Sequence, residues 1–232
     1  MCEPHIRLGL TVFLFWAASL CAQDNVVINT PILESHFYRP TKQPLFVKYE
    51  LYRGGGSCSR ANMKFKNDRP ELQTATTVDY EHSGYDIGHL ANAEDFAGDC
   101  NKERMTFVFY NAVPQTHNLN AGIWKRVENS TRKWSQTDHL LVICGGTRFV
   151  KRNKLYVPRF CYKVVQSETT GAILFCAIFS NTTRAKETDL SEAALEKRLG
   201  YSLPIIRRNA QRWMRRLFVW YFGSTPERTL AR

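Results

Sequence analysis

Tyr85-Asp86-Ile87-Gly88-His89 opens a block of three short segments. Asn111-Ala112-Val113-Pro114-Gln115 continues it, and Asn120-Ala121-Gly122-Ile123-Trp124-Lys125-Arg126-Val127-Glu128 closes it. Histidine is the side chain whose ordinary pKa suits proton transfer near neutrality, and the preceding glycine permits a tight turn and close approach by a ligand. Asn120 begins a stretch with helical spacing, Ile123, Val127 and Trp134 marking its apolar face. Glu128 stands a little over two helical turns beyond Asn120, so the two oxygens are expected on broadly one side. Such an oxygen-rich pair suits Mg²⁺, which takes few protein ligands and keeps several waters. Taken singly, each residue also has a plainer reading. His89 could be a structural histidine at a strand end, Asn120 a helix cap and Glu128 a solvated helix residue.

Outward from this block the chain alternates strands and loops. Residues 23–44 carry Pro31, Pro40 and Pro44 and read as an extended lead-in. Leu45–Tyr52 reads as a strand ended by Gly54, Gly55 and Gly56, and residues 57–84 as mostly loop. Thr106–Tyr110 reads as a strand, and so does Leu140–Cys144, stopped by Gly145 and Gly146. Phe160–Val165 and Ala172–Phe179 read as two more, joined by a turn through Thr169, Thr170 and Gly171. The segment SEAALEKRLG, capped by Asp189 or Ser191 and ended by Gly200, predicts a helix. Residues 204–222 predict a second, with Arg207, Arg208, Arg212, Arg215 and Arg216 beside Trp213, Leu217 and Trp220. The expectation is an α+β domain: a mixed or antiparallel sheet core with flanking helices. No internal repeat or long low-complexity linker divides it, so residues 23–232 read as one domain.

The composition is that of a globular protein: 232 residues, 44% hydrophobic and 23% charged. The net charge of +11 favours polyanions, because each neutralised phosphate releases condensed counterions. Charge alone fits a polyanion binder and a merely soluble basic protein equally, and an anionic membrane surface is a third reading that lacks a hydrophobic anchor in the mature chain. Arg7 precedes the apolar run Leu8–Leu20, with Cys21, Ala22 and Gln23 beyond it. Residues 1–22 therefore read as a secretory signal peptide, giving a secreted or periplasmic chain with no stable membrane association after cleavage. Seven cysteines occur, and Cys2 and Cys21 fall in the leader. None has zinc-site spacing. Cys58 and Cys100, in polar stretches, are the expected disulfide. Cys144, Cys161 and Cys176 sit in apolar runs and read as buried strand thiols.

Together, DIGH at 86–89, NAVPQ at 111–115 and NAGIW at 120–124 with Glu128 resemble the DNA/RNA non-specific endonuclease family, whose catalytic core is a ββα-metal finger. Ser59-Arg60, Tyr85, Val157-Pro158 and the SEAALEKRLG helix extend the resemblance over about residues 45–205. It implies hydrolysis of DNA and RNA phosphodiesters with Mg²⁺, Mn²⁺ being able to substitute. It implies His89 as general base, Asn120 as metal ligand, and Glu128 as the residue that orients a water beside the cation. Asn111 steadies the site, Arg60 clamps a phosphate oxygen, and Lys125 and Arg126 bind substrate. The family usually carries arginine where this chain has Ile87. Arg60, Lys125 or Arg126 then compensates, or the rate is reduced. Ile87→Arg is expected to raise the rate or leave it unchanged.

Two other readings remain. A weakened nuclease fold could bind nucleic acid without cutting, which Ile87 favours and the joint presence of His89, Asn120 and Glu128 disfavours. A mitochondrial-type endonuclease with restricted substrates conflicts with the secretory character of the leader. Asn129-Ser130-Thr131 and Asn181-Thr182-Thr183 match the glycosylation sequon.

Overall fold

The computed structural model describes residues 24–206. The expected leader lies outside the described residues, as does the expected C-terminal helix beyond residue 206. Among the described residues, strands β1 (Asn25–Asn29), β2 (Glu34–Tyr38) and β3 (Gln43–Leu51) join β6 (Leu140–Arg152), β7 (Leu155–Ser167), β8 (Ile173–Ser180) and β9 (Glu187–Asp189). They form a seven-stranded sheet in the order β1-β2-β3-β6-β7-β8-β9. Every pairing in it is antiparallel, which resolves the expected mixed or antiparallel core.

Strand side chains alternate between the two faces of a sheet, and here both faces are covered. Leu140, Val142 and Cys144 of β6 go to one apolar cluster, and Leu141 and Ile143 to the other. On β7, Cys161 and Val165 join the first while Tyr162 and Val164 join the second. This two-sided burial explains why the runs are apolar throughout. The second face is closed by α4 (Glu192–Leu199), through Leu195 and Leu199. Its Ser191 cap accepts from the Ala194 amide at 3.3 Å, and Gly200 ends it at φ 80°. The predicted cap and stop are both present.

The first face carries the remaining elements. α1 (Thr77–Tyr80), β4 (Asp86–His89), α2 (Cys100–Met105) and β5 (Ala112–Gln115) precede a wide π-type turn, Asn118–Trp124. That turn leads into α3 (Lys125–Trp134). β4 and β5 form a two-stranded antiparallel ribbon, so β4, β5 and α3 make a ββα unit. Trp124 and Leu119, both fully buried, anchor the turn on the first cluster. Asn181 ties the ribbon to the sheet. Its side chain accepts from the Thr116 amide at 2.8 Å and donates to the Pro114 and Pro158 carbonyls, each at 2.9 Å. The Asn181 sequon is therefore a buried structural clamp.

Four expectations need correction. Residues 23–44 are paired as β1 and β2. Thr106–Tyr110 is not a strand: Thr106 closes α2, Val108 makes one bridge to Lys66, and Phe109–Asn111 turns as a 3-10 helix. Its aromatics pack side by side instead, Phe107 and Phe109 against Phe65. Gly145 and Gly146 do not stop β6. A Cβ on Gly145 would lie 2.0 Å from the Leu45 carbonyl oxygen, so glycine there lets β3 approach. Finally, Asn120–Trp134 is not one helix, because Gly122 at φ −100° and ψ −107° breaks it.

Candidate active site

β4 is held rigidly from both sides. Gly88 faces Val113 across the ribbon, and a Cβ on it would come 2.2 Å from Oε1 of the buried Gln115. The close approach expected at this glycine is thus made by a side chain of the ribbon. Beyond His89, the Leu90 amide donates to the Asn111 carbonyl at 2.9 Å. The buried Asn111 side chain accepts from the Ala91 amide at 2.8 Å and donates to the Ala91 and Thr106 carbonyls, each at 2.9 Å. All its polar capacity goes into fixing the exit of the His89 strand, which makes it a positioning residue.

The His89 ring lies among aromatics, 4.5 Å from the Phe65 ring centroid and 4.8 Å, edge-on, from Phe107. Its Nε2 is covered and has no protein hydrogen-bond partner. Desolvation, followed by the Arg60 guanidinium, pulls its pKa down to about 3. The imidazole is therefore neutral at physiological pH, the form that accepts a proton. Arg60 is half exposed and braced by acids: Nη2 lies 2.8 Å from Glu94 and Nε 3.5 Å from the buried Glu103. The Cys58–Cys100 disulfide, expected from the sequence, joins the Arg60 loop to α2, which carries Glu103.

Asn120 hangs on the same strand. Its Nδ2 donates to Oδ2 of Asp86 at 2.9 Å, and His117 Nδ1 lies 3.0 Å from that oxygen. With its amide nitrogen committed, Asn120 presents its carbonyl oxygen. An amide oxygen is a hard donor of the kind Mg²⁺ takes, with waters filling the rest of its shell. Among the described residues no three His, Cys, Asp or Glu side chains converge on one point. Asp86 and His89 stand three residues apart on one strand, about 10 Å of rise. The sequence reading missed His117, a 77% exposed side chain in a polar loop with no pattern around it.

Glu128 is buried, so the view of it as a solvated helix residue is wrong. The break at Gly122 also removes the helical register that was to set it beside Asn120. The charges of Lys163, Asp95 and Arg132 act on it, and the Asn92 side chain hydrogen-bonds it. Burial raises its pKa to about 7, with Lys163 opposing and Asp95 reinforcing the rise. Asp95 is itself buried, accepting from Tyr49 Oη at 2.7 Å and Arg132 Nη1 at 2.8 Å. Lys125 and Arg126 are exposed at the start of α3, and Arg126 lies 3.6 Å from Glu187. Ile87 packs on the apolar cluster of Tyr80, Phe109, Leu155 and Val157. A cavity of 690 Å³ is lined by Thr30, Leu33, Tyr52, Asp95 and Lys102, and His89 and Asn120 take no part in it. Its mixed lining gives no chemistry comparable with the β4 site. A 290 Å³ cleft lined by Tyr85, Arg152, Pro158 and Arg159 borders the ribbon instead.

Comparison with known proteins gives the family and the fold. The sequence model of the DNA/RNA non-specific endonuclease family matches residues 19–203. Mitochondrial endonuclease G of Bos taurus is 28% identical over 138 residues, covering 53% of this chain and 46% of that protein. Mitochondrial nuclease EXOG of Xenopus laevis is 32% identical over 137 residues, covering 56% and 38%. A nuclease of Nostoc sp. is 31% identical over 90 residues, covering 37% and 33%. The matches to these curated relatives span less than half of each relative's length. The crystal structure of the EndoG/EndoGI complex shares the fold, with a TM-score of 0.67 and 20% identity over 78% of this chain and 87% of that one.

Proposed function

Because the chain belongs to the DNA/RNA non-specific endonuclease family, we propose that it is a metal-dependent endonuclease hydrolysing DNA and RNA with little sequence preference. One observation carries the reading. The Asp86–Asn120 hydrogen bond ties the candidate cation ligand to the strand that bears a neutral imidazole whose Nε2 has no protein partner.

Asn120, oriented by Asp86, would hold Mg²⁺, or Mn²⁺ in its place, which when bound supplies positive charge to stabilise the phosphate and the departing 3′-oxygen. His89 takes a proton from the water that attacks phosphorus, so an O–P bond forms as the P–O3′ bond breaks. The ionised Glu128 accepts a hydrogen bond from a water, orienting it to protonate the 3′-oxygen. Arg60 contacts a phosphate oxygen, and its acidic braces fix its direction. Asn111 holds the strand on which His89 stands. Lys125 and Arg126 add non-specific attraction that weakens with salt. None of these groups reads a base, since phosphate and sugar are common to every nucleotide. That accounts for the proposed breadth of substrate.

Export to an extracellular or periplasmic space is part of the proposal. The Cys58–Cys100 disulfide supports it, because such bonds persist in oxidising compartments. No helix among the described residues is long and apolar enough to cross a membrane. A nucleic-acid-binding protein with weakened catalysis is the second reading, favoured by Ile87. Supercoiled plasmid incubated with Mg²⁺, with EDTA, and with the His89→Ala variant separates the two. Nicking that needs both metal and His89 supports the enzyme, whereas binding without nicking supports the alternative.

A further inference from the structure

Strands β6 and β7 outrun the sheet they belong to. β3 pairs with β6 only as far as Gly145, and β8 pairs with β7 only from Phe160 onward. Residues 147–159 therefore form a two-stranded arm with no further strand on either side among the described residues. A lone hairpin is marginal in water, and this one is anchored by one face. Leu155 and Val157 are buried with Tyr80 and Phe109, and Tyr85 and Ile87 pack against that cluster. The arm is thus seated beside β4, the strand that bears Asp86 and His89.

The arm carries Arg148, Lys151, Arg152, Lys154 and Arg159 and no acid. Side chains alternate along a strand, so Arg159 shares the anchored face with Leu155 and Val157. Arg152 stands opposite Leu155 and shares that face too. Both arginines line the 290 Å³ cleft, together with Tyr85, Val157, Pro158 and Thr182, and no acidic residue lines it. Both are exposed, and neither forms an ion pair among the described residues. Arg60 and Arg126, by contrast, lie against glutamates, and Arg148 stands over the Phe160 ring, 5.8 Å from its centroid. Two cations without acids repel one another until an anion joins them, and a planar guanidinium grips phosphate oxygens with two N–H groups.

Tyr85 at the cleft and His89 lie four residues apart, about 13 Å of strand rise. One strand of a duplex presents a phosphate about every 3.4 Å along its axis. We propose that the cleft is a second phosphate subsite. In it Arg152 and Arg159 hold the nucleic-acid backbone roughly four phosphates from the one cut beside His89. The proposal rests on the nuclease reading and deepens it: the substrate is a polymer laid along β4, gripped by its backbone at both ends of that strand.

The test compares the parent with Arg152→Gln plus Arg159→Gln. A control, Lys151→Gln plus Lys197→Gln, removes the same charge from the other face of the sheet, where Lys151 stands opposite Tyr156 and Lys197 lies on α4. Binding of a labelled DNA duplex in EDTA is followed by fluorescence anisotropy between about 50 and 200 mM salt. Two lost phosphate contacts make log affinity against log salt shallower by about 1.8. KM for plasmid nicking with Mg²⁺ rises about tenfold while kcat stays parental. The control keeps the parental slope and KM. An arginine variant that tracks the control overturns the proposal, and so does a fall in kcat at parental KM, which would put the arginines at the chemical step. If the double arginine variant does not fold, Arg152→Gln alone decides: a slope shallower by about 0.9 supports the subsite, and the parental slope overturns it. Should the parent cut nothing, the nuclease reading falls by itself, while the salt slope in EDTA still decides whether the cleft holds phosphate.

Discussion

Asn120 donates its amide hydrogen to Asp86 across 2.9 Å, which fixes the direction of a side chain that could otherwise rotate. An asparagine amide is nearly symmetric in shape, so a neighbouring acceptor decides which end faces a cation. Asp86→Asn replaces that obligatory acceptor with a group that can also donate. Asn120 is then free to turn its nitrogen towards the metal. The expected result is an Mg²⁺ requirement raised about tenfold, from the loss of one charge-assisted hydrogen bond worth about 1.5 kcal/mol. The rate at saturating Mg²⁺ should fall less. Activity measured against Mg²⁺ concentration checks this, and an unchanged half-saturation point refutes it.

The two perturbed groups of the site act oppositely on stability. His89 falls from the usual 6.5 to about 3 on folding, so its contribution is complete above pH 6.5 and is lost as the pH drops towards 3. Glu128 rises from 4.5 to about 7, so its contribution is complete below pH 4.5 and disappears as the pH climbs through 7. Between pH 6.5 and 4.5 the two trends offset each other, and below 4.5 the histidine acts alone. Removing the carboxyl with Glu128→Gln should therefore make the acid loss of stability begin near pH 6.5. Melting temperatures of parent and variant between pH 3 and 8 test this without reference to cleavage.

Much of this was legible from local chemistry. The Ser191 cap and Gly200 stop delimit α4 because capping is decided within a turn or two of chain. The β6–β8 core runs announce themselves by β-branched and aromatic content. The Cys58–Cys100 pair could be guessed because its cysteines lie outside those runs. What failed depended on distant partners. Gly145 looks like a strand end until Leu45 is brought against it, and Thr106–Tyr110 has strand composition but one bridge, to Lys66. Gly122 hides a break inside an apparently helical period. Lys163, flanked by Tyr162 and Val164, was the readable anomaly: a cation inside an apolar strand implies buried acids elsewhere.

The disulfide should matter to substrate affinity as well as to stability. It closes a loop with a sequence separation of 42 residues, for which chain entropy gives at most about 4 kcal/mol. Arg60 stands two residues beyond Cys58, and its braces Glu94 and Glu103 lie on either side of the partner cysteine. Converting both cysteines to serine leaves the loop held by contacts such as the 3.2 Å bond from the residue-58 amide to the Ala97 carbonyl. The melting temperature should fall by roughly 5–15 °C. KM for plasmid should rise several-fold with kcat less affected, because the phosphate clamp loses its direction while His89 keeps its own supports. A disulfide variant with a parental KM would show that Arg60 keeps its direction without the bond.

Ile87 presents the sharpest conflict between resemblance and packing. An arginine there would bring a cation to the phosphate, whereas the isoleucine covers Leu155, Val157 and Phe109 beside the aromatic box of His89. Residues 87 and 89 project to the same side of a strand, so whatever replaces Ile87 is a neighbour of the base. An arginine can lay its methylenes over the apolar cluster and carry its guanidinium to water, but it packs less well than a branched aliphatic side chain. Ile87→Arg should therefore cost about 1–2 kcal/mol, a fall of roughly 2–8 °C in melting temperature. The nicking rate at low salt should match or exceed that of the parent, because the added charge lies near the developing negative charge of the phosphate. The gain should shrink as salt rises. A variant that melts with the parent but nicks far more slowly would show that this chain has arranged its phosphate contacts around the isoleucine, with Arg60 as the clamp that a second cation disturbs.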